Sequence, residues 1–290
     1  MNTNLLFVHA LSPLHAGTGQ SIGAIDLAIA REKATGMPYL PGTSLKGALR
    51  ARASSAANVK EVFGPDTSHA SDHASSVLLG DANLLCLPVR SIAGTFAWVT
   101  SPFLLQRFVR DAKEAGLTVP SSSVAVDLDQ CLVASESLAV KDGAGKEKVF
   151  FEDLDLQKKD SPEAKEWAKT LSGWLFDDDD ADGAASFRKR FCIVHDDVMS
   201  FLAQHGTDVV TRVALEAETK TVKSGALWQE ENLPTETMLY ALVGFQHVKA
   251  TPADARALLN GLIKSPIQLG GKATVGRGRC QLRLTKDGQR

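Results

Sequence analysis

The sequence predicts a mixed α+β protein built around one sheet. Short apolar runs of strand length alternate with longer segments in which apolar residues recur every three or four positions. Glycine, proline and serine separate the two kinds of segment. Strand–helix–strand units with long insertions between them are typical of a ferredoxin-like, RRM-type sheet. We therefore expect residues 1–290 to form a single RRM-like domain with insertions.

The chain begins with an apolar run at residues 4–11, which has the length of a strand and ends at a Ser-Pro pair. A loop with three glycines follows at residues 15–23. Residues 24–31 then alternate between apolar and other side chains, which predicts a half-buried strand with Asp26 on its exposed side.

A helix is expected next, because Thr43 or Ser44 provides a cap and apolar residues recur at helical spacing as far as about residue 57. Residues 54–76 include a polar stretch of low complexity, and we expect a mobile loop there. The glycine-rich segment 268–280 is expected to be a loop before the last strand.

The middle of the chain continues the same alternation. Helices are expected at 102–115, 162–175, 198–206 and 252–263, and strands at 77–86, 93–99, 131–134, 148–151, 187–196, 237–245 and 279–285. The acidic run 177–182 is interpreted as a solvated loop. Residues 208–217 and 219–228 read as the two arms of a β-hairpin insertion that spans 208–236.

Composition excludes several classes of protein. No apolar run approaches the roughly 20 residues that span a bilayer. The first residues lack a basic region before their short apolar run, so no signal peptide is indicated and a cytoplasmic location is expected. The four cysteines are widely spaced among apolar neighbours without a CxxC pair, which favours buried free thiols over a structural zinc site.

The net charge of −2 argues against unspecific binding to nucleic acid, but the charges are segregated. Residues 31–52 contain five Lys or Arg and one acid, and residues 272–290 contain six Lys or Arg and one acid. Acidic residues are concentrated elsewhere, chiefly at 177–182. Such segregation allows a basic groove on a nearly neutral protein.

Two segments are candidates for holding a phosphate backbone. The helix after Thr43 carries Lys46 and Arg50, and the N-terminus of a helix is an anion site. The segment GGKATVGRGR frees backbone N–H groups for phosphate, because no Cβ blocks the approach. The residues expected to bind there are Gly270, Gly271, Lys272, Gly276, Arg277 and Gly278. The alternative is a tight hairpin with surface charge, since neither a Walker nor a Rossmann pattern is present.

Three single residues are further candidates. Asp26 is by default a solvated carboxylate, but glycines and basic residues surround it in the sequence. His15 precedes the same loop and has a side chain that donates protons near neutral pH. Trp228 lies on the predicted hairpin and is a candidate for stacking on a base, a contact worth about 1–3 kcal/mol.

The stretches 14–50 (LHAGTGQSIGAIDLAIAREKATGMPYLPGTSLKGALR) and 269–280 (LGGKATVGRGRC) resemble the RAMP superfamily. More narrowly, the chain is similar to the backbone subunits of the type III-B CRISPR effector, the Cmr complex. Residues 88–108 and 218–234 (ETKTVKSGALWQEENLP) extend the resemblance over nearly the whole chain.

The resemblance implies a repeated subunit that stacks on a guide CRISPR RNA with further copies of itself and other Cmr subunits, without a membrane. An RRM-like palm holds the guide, and a hairpin thumb displaces one nucleotide about every sixth position. An Asp in the position of Asp26 cuts the exposed single-stranded target RNA with a divalent metal, Mg²⁺ or Mn²⁺, which Asp26 is expected to bind. His15, Glu230 and Glu231 are secondary catalytic candidates in this scheme.

Three functions remain open at this point. The first is an RNA-guided endoribonuclease subunit, which the presence of Asp26 favours. The second is a non-catalytic filament protein that holds guide RNA, since one carboxylate is little evidence for catalysis. The third is a stand-alone RAMP nuclease that processes guide RNA with a histidine-centred site, for which His15 is the only support.

Overall fold

The computed structural model describes residues 2–19, 25–121 and 123–285. Residues 20–24 of the first glycine loop, and Lys286 and Arg290 of the C-terminal basic segment, lie outside the described residues.

Strands and helices alternate along the described chain, which confirms the predicted mixed α+β class. The strands are β1 (Asn2–Ala10), β2 (Tyr39–Leu40), β3 (Val77–Leu79), β4 (Ala82–Arg90), β5 (Phe96–Thr100), β6 (Gln130–Val133), β7 (Val140–Lys141), β8 (Glu147–Phe151), β9 (Leu154–Asp160), β10 (Phe191–Val194), β11 (Asp208–Leu215), β12 (Val222–Asn232), β13 (Met238–Phe245), β14 (Ile267–Gln268) and β15 (Arg279–Leu284). The α-helices are α1 (Gly42–Arg52), α2 (Val59–Phe63), α3 (Pro102–Glu114), α4 (Pro162–Leu175), α5 (Ala181–Arg190), α6 (Asp196–His205) and α7 (Pro252–Leu262). None of these helices is long and apolar enough to cross a bilayer.

Thirteen of the described strands form one mixed sheet, in the spatial order β14-β15-β1-β13-β4-β5-β10-β6-β9-β8-β7, with β2 beside β4 and β3 beside β13. β1 lies between β13 and β15 and is antiparallel to both. The first and last described strands are therefore neighbours. Because they are antiparallel, the loop that follows β1 and the loop that precedes β15 leave the sheet at the same end of these strands.

Both faces of this sheet are buried, which explains the nearly continuous apolar run of β1. Leu6 and Val8 belong to a core cluster that also contains residues of α1 and α7. Leu5 and Phe7 point to the other face and join a cluster with residues of α3 and α4. Phe108 of α3 is central to that second cluster. Its ring contacts those of Phe7, Trp167, Trp174 and Tyr240.

Helix α1 begins at Gly42, one residue before Thr43 and two before Ser44, and it ends at Arg52, five residues before the predicted end. No side chain caps it, and Thr43 and Ser44 are exposed, so the predicted cap is wrong. The backbone N–H of Gly42 instead donates to Oδ1 of Asp81 at 2.7 Å. The start of the helix is thus already supplied with an internal carboxylate, which corrects the expectation of a second anion site there.

Two predicted segments have different structures. The segment assigned to a mobile loop, 54–76, contains helix α2, whose Val62 and Phe63 are buried. The acidic run is exposed, as expected, and residues 177–180 form neither helix nor strand. Its last two residues begin helix α5, because the side chain of Asp180 accepts from the N–H of Gly183 at 2.9 Å and caps the helix. Phe187 of α5 is fully buried, and the strand expected at 187–196 is limited to β10.

The predicted hairpin is present as β11 and β12, which form a separate two-stranded sheet. Thr211 pairs with Gln229 and Arg212 with Trp228, and the register shifts between Val213 and Leu215. The distal part of the hairpin carries large aliphatic side chains that are 44–64% exposed: Val213, Leu215, Val222 and Leu227. An exposed apolar patch of this kind marks a surface that contacts a partner.

Replacing Phe108 with Ala is expected to lower the free energy of unfolding by about 3–5 kcal/mol, because the ring is fully buried among four aromatic neighbours. Phe201→Ala is the matched control, since that ring is 45% exposed, and its effect should be much smaller. Urea unfolding followed by circular dichroism measures both. Equal losses in the two variants would contradict the assigned core.

Candidate nucleic-acid interface

The two glycine-bearing segments predicted to meet do meet. The N–H of Gly278 donates to the carbonyl of Pro13 at 2.8 Å, and the N–H of Gly271 donates to the carbonyl of His15 at 2.9 Å. The loop after β1 therefore packs along the loop before β15. This contact joins residues that are more than 250 positions apart in the sequence.

The base of the hairpin meets these two loops. We use the term junction for the place where the loop after β1, the loop before β15 and residues 229–233 meet. Leu27 lies parallel to β12, with its N–H donating to the carbonyl of Gln229 at 3.0 Å and its carbonyl accepting from the N–H of Glu231 at 3.0 Å. Leu14 pairs with Leu233 just beyond the end of β12. The segment around Asp26 is thus fixed to the edge of β12 that faces away from β11.

Asp26 is exposed, as the alternation predicted, but its segment forms single bridges at Leu27, Ile29 and Arg31 rather than a continuous strand. Its Oδ2 accepts from the backbone N–H of Gln229 at 2.8 Å. Its Oδ1 makes no hydrogen bond to a described residue. One oxygen therefore holds the carboxylate in place, and the other is available to a ligand.

His15, the proton-donor candidate beside the first glycine loop, is buried. Its Nδ1 lies 2.8 Å from the carbonyl oxygen of Glu231. Because a carbonyl only accepts, Nδ1 carries the hydrogen, and in a neutral ring Nε2 has none. A Cβ at Gly17 would lie 2.6 Å from Nε2. His15 thus joins both loops to β12, and its expected role as a proton donor stays a prediction.

Glu231 is 2% exposed, and both of its carboxylate oxygens have partners. Oε1 accepts from Nη2 of Arg31 at 2.5 Å and from the hydroxyl of Thr207 at 2.9 Å. Oε2 accepts from the N–H of Ile29 at 3.2 Å. Both carboxylate oxygens are thus engaged within the fold, and these contacts fix the Asp26 segment against β12. The catalytic role expected for Glu231 stays a prediction.

Glu230 is equally buried. Its Oε1 lies 3.4 Å from Nε of Arg277, 3.8 Å from Nη2 of Arg212 and 3.3 Å from Nδ2 of Asn232. Two guanidinium groups therefore surround a carboxylate that was expected to act in catalysis, and the structure gives it an ion-pairing role.

The glycine-rich segment does not present its N–H groups to a ligand in the way that was expected. The N–H groups of Gly271, Gly276 and Gly278 donate to carbonyl oxygens of the chain itself. Gly270 has a φ of +67°, and a Cβ there would collide with the carbonyl of His15. Close packing accounts for Gly270, Gly271 and Gly278, and a φ of +78° accounts for Gly276. Phosphate binding by this segment stays a prediction. The charged side chains remain, with Lys272 partly exposed.

The other basic and aromatic candidates are partly engaged. Arg50 donates to the carbonyl of Pro65 at 2.9 Å and to Oδ1 of Asp66 at 2.8 Å. Burial and the neighbouring charge of Arg50 lower the pKa of Lys46. Trp228 is half-buried, with its Nε1 buried and without a hydrogen-bond partner. Its ring is therefore less open to a base than was expected.

Sequence reasoning missed Arg212 and Arg31. Arg212 lies directly across from Trp228 in the hairpin, so the register of the two predicted arms contained the signal. Arg31 was counted only as surface charge, because its partner Glu231 is 200 residues away. Among the described residues, no group of three or more His, Cys, Asp or Glu side chains is arranged to hold a metal ion.

The fold and the junction define a protein of a known class. The chain belongs to the RAMP superfamily, whose family model matches residues 7–281. It is 34% identical over 294 aligned residues to the Cmr endoribonuclease Cmr4 of Pyrococcus furiosus, covering 98% of this chain and 96% of that protein. The CMR subunit Cmr4 of Saccharolobus solfataricus is 25% identical, covering 97% of this chain and 96% of that protein. The resemblance stated from the sequence motifs is thus confirmed.

Solved structures agree with this assignment. The crystal structure of oligomeric Cmr4 from Pyrococcus furiosus superposes with a TM-score of 0.76 and 26% identity, covering 99% of this chain and all of that one. The structural similarity therefore extends over nearly the whole chain.

Glu231→Ala is expected to lower the free energy of unfolding by about 3 kcal/mol, because the change removes the buried carboxylate that pairs with the partly buried guanidinium of Arg31. Hydrogen exchange at Leu27 should also become faster. Glu218→Ala, at the exposed tip of the hairpin, is the control and should change neither. A Glu231→Ala protein that keeps its stability but no longer cleaves RNA would support a catalytic role for Glu231.

Proposed function

We propose that this chain is the backbone subunit of a type III-B CRISPR effector that binds guide RNA and cleaves complementary target RNA. The observation that carries the proposal is the position of Asp26. Its carboxylate is exposed, is held by the backbone of β12, and lies at the junction of the two loops with the hairpin. The Pyrococcus relative is named an endoribonuclease, and it is similar to this chain over nearly its whole length.

The chemistry that suits a single carboxylate beside RNA is attack by the ribose itself. The 2′-oxygen forms a bond to the adjacent phosphorus, the bond from phosphorus to the 5′-oxygen breaks, and a 2′,3′-cyclic phosphate and a 5′-hydroxyl result. Asp26 accepts the proton of the 2′-hydroxyl in this scheme, and the departing 5′-oxygen takes a proton from water. A nucleotide displaced from A-form geometry aligns its 2′-hydroxyl with its own phosphate more easily.

The residues at the junction fit a divalent cation only in part. Mg²⁺ typically binds through one or two carboxylates together with substrate phosphates and water, so the available oxygen of Asp26 suits it when RNA is present. Bound Mg²⁺ or Mn²⁺ would supply charge stabilisation to the phosphate in the transition state. Glu230 and Glu231 are engaged by arginines, which leaves Asp26 as the protein ligand that we propose.

Within this function, we propose that the sheet around β1 acts as a ferredoxin-like palm and the β11–β12 hairpin acts as a thumb. The exposed aliphatic side chains of the hairpin suit insertion between stacked bases, which are apolar on their faces. Copies of this chain and other Cmr subunits would line up along the guide, as the oligomeric crystal form of the Pyrococcus relative suggests. Each copy would then place one Asp26 at a regular interval along the target.

One observation favours a second function, a guide-binding backbone subunit without catalysis. His15, Glu230 and Glu231 are all buried in structural contacts, so Asp26 acts without the expected protein partners. The same burial of His15 argues against a stand-alone nuclease with a histidine-centred site. The first experiment below separates the two remaining functions.

Asp26→Asn is expected to reduce target cleavage by at least 10²-fold, on the order of the loss of a general base, while guide and target still bind. Asn retains an oxygen that accepts from Gln229, so the junction should persist. Cleavage of labelled target in complexes reconstituted with guide RNA and Mg²⁺ measures the effect. Asp197→Asn is the control, because the side chain of Asp197 is 81% exposed and lies on helix α6, away from the junction. Unchanged cleavage by complexes that contain Asp26→Asn would mean that cleavage takes place elsewhere. This chain would then be the guide-binding backbone subunit without catalysis.

Deleting residues 219–227, the distal part of the hairpin, is expected to abolish the regular spacing of the cuts while leaving the sheet folded. The deletion removes Val222 and Leu227 from the apolar surface. The double change Leu128→Ser and Phe201→Ser is the control, because it removes exposed apolar side chains from a different surface. The lengths of the target fragments measure the result. If the deletion protein yields fragments with the same regular spacing as the unaltered protein, the proposed role of the hairpin as a thumb is refuted.

A further inference from the structure

One face of the hairpin base carries a polar cluster that the reaction at Asp26 does not use. Cross-strand partners in an antiparallel pair share a face, so Arg212 and Trp228 lie on the same side of the hairpin, together with Glu230. Arg277 of the glycine-rich segment approaches this face, with its Nε 3.4 Å from Oε1 of Glu230. The cluster therefore joins the hairpin to the loop before β15.

The donors of this cluster are poorly satisfied. Nε of Arg212, Nε1 of Trp228 and Nε of Arg277 are buried and have no hydrogen-bond partner. The nearest carboxylate, Glu230, lies 3.4 and 3.8 Å from the two guanidinium groups. Charge-assisted hydrogen bonds are normally about 2.7–2.9 Å long, so Glu230 holds these groups only loosely. The cluster therefore contains buried donors that no described residue satisfies.

Asp208 is the other acid that faces the cluster. Burial raises the pKa of Asp208, and the charge of Arg277 opposes this rise. Two carboxylates and two guanidinium groups therefore balance each other, and an incoming anion has to compete with Glu230 for the arginines. The side chain of Arg212 is 32% exposed, so it is the group that an anion reaches first.

We propose that Arg212 and Arg277 form a binding site for an RNA backbone phosphate, and that Glu230 is a positioning residue that holds both guanidinium groups until RNA arrives. The planar guanidinium group donates parallel hydrogen bonds whose geometry matches the oxygens of a phosphate. Two guanidinium groups beside one another therefore favour a phosphate over a ligand with a single acceptor atom. The inference rests on the proposed function, because it assumes that RNA lies along the junction.

This phosphate is different from the one beside Asp26. The Asp26 segment pairs with one edge of β12, whereas Arg212 lies on β11 at the other edge. Two strand spacings separate them, roughly 10 Å. A phosphate at Arg212 therefore belongs either to the guide or to another position on the target, and it fixes RNA without taking part in the cut.

The test is binding of labelled RNA to the full-length protein over a series of salt concentrations, with guide RNA alone in one arm and with guide plus complementary target in the other. Arg212→Gln should weaken binding and lower the slope of log K against log salt by about 0.7, the value for one single-strand phosphate contact. Lys113→Gln is the matched control, since it removes one positive charge from an exposed position on α3. It should leave affinity and slope unchanged.

A loss with guide alone assigns the phosphate to the guide, and a loss only after target addition assigns it to the target; both outcomes support the site. Arg212→Lys should keep part of the slope, and an unchanged thermal unfolding midpoint shows that the hairpin remains folded. If Arg212→Gln behaves like Lys113→Gln in both arms, the site is overturned. Binding is read without cleavage, so its result is independent of whether Asp26→Asn abolishes cutting.

Glu230→Gln tests the positioning role. Removing the competing carboxylate should tighten RNA binding at low salt, because the arginines are released to the phosphate. Weaker RNA binding would contradict the positioning role. Loss of cleavage with normal binding would also overturn it, since it would show that Glu230 takes part in the reaction.

Discussion

The buried ion pair between Arg31 and Glu231 is the contact on which the candidate site depends. Burying a carboxylate is costly unless charges and hydrogen bonds compensate it, and Glu231 receives both from Arg31, Thr207 and the backbone of Ile29. These partners come from the segment after Asp26 and from the connection before β11. The pair therefore fixes the segment of Asp26 against β12, and with it the position of the Asp26 carboxylate.

The glycines of the two loops serve the same junction. Their absent side chains allow the backbone around Gly270 and the ring of His15 to approach each other closely, and the hydrogen bond from Nδ1 of His15 then reaches β12. Each residue was a candidate for contact with RNA, and in the fold each also holds the three segments together. The charges that remain available at the surface of the junction, Asp26 and Lys272 among them, are the ones left to meet a ligand.

The sequence was informative wherever local rules decide structure. The helix expected at 252–263 is present as α7, and the side chain of Thr251 caps it by accepting from the N–H of Asp254. The alternation of residues 208–228 predicted the hairpin arms. Helix α5 was missed because the acidic run was read as solvated, although an Asp cap, an acidic first turn and three basic residues in the last turn are helix signals.

Long-range partners could not be predicted in the same way. Nothing near Glu231 in the sequence indicates that Arg31 would neutralise it, so a carboxylate in a motif was assigned to catalysis. Likewise, the N-terminus of α1 was expected to bind an anion from outside. Its actual partner, Asp81, lies 39 residues after Gly42 in the sequence, so the local pattern did not indicate it. In each case a charged group was identified correctly, and its partner within the fold remained unknown until the tertiary contacts were in place.

The central claim is that RNA lies against the junction of the two loops and the hairpin, beside Asp26. Photocrosslinking tests it most directly: 4-thiouridine is placed at the cut position of a target that is paired to guide RNA on the Asp26→Asn protein, and the attached peptides are identified by mass spectrometry. The account predicts crosslinks to residues 25–29 and to the neighbouring part of β12 around Gln229. Crosslinks confined to α1 or to the surface around Phe201, with none at the junction, would contradict it.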